Sequence, residues 1–194
     1  MEVLDNTEEK VLLDTEIELR DNEIKIAYKL KNKTKKPIYL FNVIWDFDSS
    51  GSYIFAPNSF YSCLRDDGTF VVAERILPLP KNKRVELKIV PFATEIEAGS
   101  DFSGDINIPV PATEYNPYFP KKNEDDEKLK MAESIVFTVE FVKETDGLEI
   151  KPAPLEGAKY VWHQDLRGKT ETLSSNPKSI TIQVKKRTDI FERF

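Results

Sequence analysis

A chain of 194 residues with 40% hydrophobic and 32% charged side chains has enough apolar material for one large core, which excludes wholesale disorder. Its net charge of −6 favours solubility and disfavours a polyphosphate backbone, so no nucleic-acid partner is expected. The single cysteine, Cys63, excludes an intrachain disulfide, and no apolar run approaches the roughly 18 residues that cross a bilayer, so no membrane span is expected.

The segment Met1–Lys10 has neither a basic nor an apolar leader region, and a cytoplasmic location is expected. Ile17 and Leu19, the turn formers Asp21 and Asn22, then Ile24, Ile26, Tyr28 and Leu30 alternate with polar residues as two strands, each with one wet face. The polar connection 32–36 ends at Pro37, which a strand tolerates only at its start or at an edge.

Pro37–Phe47 is apolar on both parities. Tyr39, Phe41, Val43, Trp45 and Phe47 would share one face, with Ile38, Leu40, Asn42, Ile44 and Asp46 on the other. Such a strand is either covered twice by its own chain or carries an aromatic row that a partner covers. Asp48–Ser52 ends it.

Shorter elements follow: an irregular piece over Tyr53–Leu64, a turn at Asp66-Asp67-Gly68, and strands over Thr69–Leu77, Arg84–Val90 and Phe102–Val110. Prolines at 78, 80, 91, 109, 111, 117 and 120 disfavour long helices. One short helix is expected near 124–132, where Asn123 would cap and acids would fill the first turn. Ser134–Lys143 reads as a strong strand, Ala158–His163 as a weaker one, and Ser179–Lys185 closes the sheet.

This succession predicts an all-β, antiparallel two-sheet sandwich over 1–194 as a single domain, with 186–194 as a short C-terminal extension. A partly closed β-barrel is the alternative. The polar Asn32-Lys33-Thr34 turn, the proline-initiated strand after it, and the passage from Pro91 through Gly99 into Phe102 resemble an immunoglobulin-like domain over about half the chain. The resemblance lacks the Cys-Trp-Cys core and implies a fold class, with no activity attached.

Asp46, Asp48 and Ser50 open a D-x-D-x-S-G pattern whose oxygens could wrap a calcium ion. Pro57 stands where the twelfth position requires a bidentate Glu, and a plain turn uses the same residues, so no metal is expected. His163 is the only histidine, and G-x-S-x-G, H-E-x-x-H and paired C-x-x-C patterns are missing. Neither a catalytic residue nor a cofactor is expected.

The expected function is therefore a non-enzymatic protein-binding or assembly module, contacting another protein or a second copy of itself. The candidate contact residues are Tyr39, Phe41, Trp45 and Phe47 on the aromatic face, Tyr115, Tyr118 and Phe119 in the proline-rich loop 109–120, and Phe191 and Phe194 at the C-terminus. The alternative is a small-ligand or carbohydrate-binding domain using Tyr53, Tyr61, Trp162 and Asp165. A hydrolase with an unrecognised site around His163 is the further alternative.

Overall fold

Alternation of apolar and polar residues, clearest over Glu16–Arg20 and Glu23–Ile26, pairs Val11–Arg20 (β1) with Glu23–Asn32 (β2) as an antiparallel hairpin. Asp21 and Asn22 supply the positive φ angles, 49° and 61°, of a two-residue turn whose twist matches its strands. The computed structural model describes residues 10–56, 59–81, 83–86, 88–119, 127–162, 166–188, 190 and 194.

In chain order the next strands are β3 (Ile38–Val43), β4 (Trp45–Phe47), β5 (Tyr53–Phe55), β6 (Tyr61–Leu64), β7 (Thr69–Glu74), β8 (Phe92–Ile96) and β9 (Asp101–Pro109). Then come β10 (Ala112–Thr113), β11 (Glu127–Lys143), β12 (Glu149–Pro152), β13 (Lys159–Trp162), β14 (Thr170–Ser174) and β15 (Lys178–Arg187). The described residues contain no α-helix, and the protein is all-β.

Two sheets carry most of the chain. β1, β2 and β9 form an antiparallel sheet of three strands. The larger sheet is organised along the 17 residues of β11. β15 and then β14 pair along one flank of β11, while β7 and then β3 pair along the other. β8, β13 and β12 extend the sheet beyond β3, and the whole curls into a half-barrel. β4 and β5 pair only with each other.

Arg84–Val90, read as a strand, forms none among its described residues, and two further features differ from the sequence expectation. The large sheet is mixed, because β7 runs parallel to β11 and β10 runs parallel to β15. Turn residues reveal hairpins, whereas a parallel pair is joined by a long crossover that leaves no local mark. The second difference is at residues 127–132, read as helical, which open β11 and pair with Ile182–Arg187 of β15. Leu129 and Met131 alternate with Lys128 and Lys130 at the strand period, and the partner strand outweighs the helix-compatible charge pattern. Residues 123–126 lie outside the described residues.

The two sheets share one core. Ile24, Ile26, Leu30 and Ile108 of the small sheet pack with Ile38, Leu40, Phe70, Phe137 and Phe141 of the large one. Each such side chain contributes about 1.5–3 kcal/mol through burial. Gly104 is required at this contact. It stands opposite Tyr28 in the β2–β9 register, and a Cβ on it would lie 2.6 Å from the Tyr28 Cζ and hydroxyl. The ring cannot retreat, because it packs 4.8 Å from Phe137 and its hydroxyl is bonded within the core. Gly104→Ala is accordingly expected to cost about 1–3 kcal/mol of stability, read as a lower midpoint in urea.

Candidate functional site: the aromatic hairpin

Pro37–Phe47 is two structures. Its first half is core on both faces: Ile38 and Leu40 join Phe137 and Phe141 between the sheets, while Tyr39 and Phe41 pack with Ala93, Val142, Val161 and Leu166 on the opposite side. The pairing of β3 with β8 shifts register between Leu40 and Val43, and the strand breaks at Ile44. After the break the chain leaves the sheet as the β4–β5 hairpin.

The hairpin is built around its aromatic residues. Trp45 faces Phe55 and Phe47 faces Tyr53, so all four rings project from one face. Trp45 meets Phe47 and Tyr53 edge-on at 5.3 and 5.1 Å, and stacks on Phe92 at 5.8 Å. Phe92 in turn meets Tyr160 of β13 at 6.4 Å. The Trp45 indole N–H donates to the Val90 carbonyl at 2.7 Å, fixing the central ring. Around this half-buried tryptophan the rim is open: Phe47 is 43% exposed, Phe55 59% and Tyr160 39%. Rings held by their neighbours yet open to water lose little conformational freedom when covered.

The turn that carries the hairpin uses the residues of the candidate calcium loop. Asp48 Oδ1 accepts from the Ser50 amide at 2.8 Å, the Ser50 hydroxyl at 2.6 Å and the Ser52 amide at 2.9 Å. These bonds hold the Asp48 carboxyl below the usual carboxylate range. Asp46 Oδ1 accepts from the Phe47 amide at 2.8 Å. This Asx turn caps the hairpin, and no cluster of three metal-ligating side chains is present among the described residues.

The loop candidates lie elsewhere. Tyr118 and Phe119 are buried in a second core with Ile44, Tyr61, Leu77 and Ile190, and Tyr115 packs against it. The Tyr118 hydroxyl accepts from the Ile89 amide at 3.0 Å, and Lys83 lies 4.9 Å over the Phe119 ring. Tyr118 and Phe119 are thus core side chains, whereas Tyr115 keeps part of its ring accessible; Pro120 is outside the described residues. Phe194 packs on the same cluster, and its carbonyl accepts from Cys63 Sγ and Arg65 Nε, both at 3.2 Å. Tyr39 and Phe41 are likewise core, which removes them from the candidate contact set. Phe191, His163 and Asp165 lie outside the described residues. Tyr61 is buried in the second core, apart from Tyr53 and Trp162, so the ligand set Tyr53, Tyr61 and Trp162 does not form one site.

Of the sequence candidates, Trp45, Phe47 and Tyr53 come together. Phe55, Phe92 and Tyr160 complete the cluster. The signal for Phe55 was present in the sequence: an Asp-Ser-Ser-Gly-Ser turn between two aromatic alternations is a hairpin pattern.

One buried acid stands apart from this surface. Glu74, at the end of β7, is 4% exposed, and the Tyr28 hydroxyl donates to its Oε2 at 2.5 Å. Burial pushes the Glu74 carboxyl up to about 8, while the hydrogen bond from Tyr28 pulls it down. Burial and the adjacent Glu74 carboxyl raise the Tyr28 phenol as well. Nearby, the Asn42 side chain accepts from Thr94 Oγ1 at 2.7 Å.

No family model, curated protein or solved structure matches this chain. Among the described residues no helix is long and apolar enough to cross a membrane.

Proposed function

We propose that this β-sandwich-type protein is a non-enzymatic recognition module that binds another protein through the aromatic hairpin. The observation that carries the reading is the continuous set of rings from Phe47 through Trp45, Tyr53 and Phe92 to Tyr160, packed beneath yet open at Phe47, Phe55 and Tyr160. Exposed aromatic clusters of this kind are the usual anchors of protein interfaces, where tyrosine, tryptophan and phenylalanine are enriched. The two opposed sheets with a shared core support the sandwich reading, and the immunoglobulin-like assignment belongs to this proposal.

The double variant Phe47→Ser/Phe55→Ser tests the reading. Both rings are substantially exposed, so the variant is expected to fold and to lose about 1 kcal/mol of stability at most per site. Affinity capture from the source cells, quantified by mass spectrometry, should recover a partner with the wild-type chain and lose it with the variant. Identical recovery with both chains refutes the hairpin as the contact surface, and binding confined to a glycan array would favour carbohydrate recognition instead.

A further inference from the structure

On the face of the large sheet where Glu140 of β11 lies opposite Thr172 of β14, the segment 75–79 borders a cleft of about 590 Å3. That volume lies within the range of small-molecule sites. Its walls include Ile76, Leu77, Pro78 and Leu166, and the hydroxyl side chains of Thr170 and Thr172 also border it.

The charges in this cleft run against those of the chain. Arg75, Lys81 and Lys88 line it and Glu140 is the one acidic lining residue among the described residues, whereas the whole protein carries −6. Glu140 is committed elsewhere, because its Oε2 accepts from the Ile76 amide at 3.1 Å. The same oxygen lies 3.5 Å from the buried Arg75 Nε without forming a hydrogen bond. Among the described residues Glu140 is the partner of the Arg75 guanidinium, and it meets only Nε. The fork of terminal N–H groups is left to pair a planar oxyanion. Lys88 adds a second cation on the same cleft and has no ion-pair partner among the described residues. A bare anion would leave Ile76, Pro78 and Leu79 against water, so the geometry fits a ligand with both a charged head and an apolar body.

We propose that this cleft binds a small amphiphilic oxyanion, its head paired with Arg75 and Lys88 and its apolar body laid against Ile76, Pro78 and Leu79. The site is separate from the aromatic hairpin and does not depend on the function proposed for it.

The test is a titration of the full chain with octanoate, followed by amide resonances and by the Arg75 Nε–H resonance. The neutral octanamide and inorganic phosphate serve as comparison probes. Octanoate should shift Arg75, Ile76, Thr170 and Thr172 in a saturable manner, and both comparison probes should bind at least tenfold more weakly. Arg75→Gln should weaken octanoate at least tenfold. Lys88→Gln, at an exposed side chain, should weaken it two- to threefold and keeps the test decisive should Arg75→Gln fail to fold. Failure of octanoate to shift these residues overturns the proposal, as does octanamide or phosphate binding as tightly as octanoate.

Discussion

Glu74→Gln is expected to stabilise the protein by about 3 kcal/mol at pH 7, and by on the order of 5 kcal/mol above pH 8, while leaving stability near pH 4 unchanged. The buried carboxyl titrates at about 8 against 4.5 for an exposed glutamate. Below pH 4.5 the acid is protonated in both folded and unfolded chains, and wild-type stability is complete. As pH rises from 4.5 towards 8 the unfolded chain ionises and the folded one does not, so stability is lost across that window and levels off above it. Glutamine is neutral throughout and keeps a carbonyl to accept from the Tyr28 hydroxyl at the same place. Urea unfolding of both proteins from pH 4 to pH 9 measures the effect. Parallel pH profiles would show that Glu74 is not held neutral by the core.

Phe41→Ala is expected to cost about 3–5 kcal/mol, against about 1 kcal/mol for Phe47→Ala, although both aromatic residues have the same parity in one apolar run. Phe41 is fully buried among Ala93, Val142, Val161 and Leu166, so truncation leaves a cavity that a rigid sheet cannot close. Phe47 lies beyond the break at Ile44, is 43% exposed, and loses only its edge contacts with Trp45 and Tyr53. Denaturant midpoints of the two variants distinguish the halves. Equal losses would mean that the strand continues unbroken as core.

The parts of this fold set by local chemistry were legible in the sequence. The β1–β2 hairpin follows from alternation and from the two residues that tolerate positive φ. The burial of Ile38–Phe41 on both faces follows from the absence of a polar parity. What the sequence concealed depends on long-range pairing. Nothing in Ile44-Trp45 marks a break, since the apolar parity continues through it and the cause is a register shift against β8, some fifty residues away in the chain. Residues 127–132 have the charges of a helix and become strand because β15 offers a partner. Glu74 follows Phe-Val-Val-Ala without any local sign that it will be sealed beneath Tyr28. Tyr118 and Phe119 look like loop anchors until Ile44 and Tyr61 arrive beside them.

For the site, the residue type and half of the location were legible in advance. Trp45 and Phe47 belong to the exposed cluster, while Tyr39 and Phe41, earlier on the same parity, are sealed within the sheet. Tyr160 joins them only because β13 is placed beside β8.

Replacing Phe55 with the photoreactive residue p-benzoylphenylalanine and irradiating in the source cells tests the central claim most directly. The account predicts one dominant protein adduct, competed away by excess wild-type chain and left intact by excess Phe47→Ser/Phe55→Ser chain. No adduct, or an adduct competed equally by both chains, would contradict recognition through the aromatic hairpin.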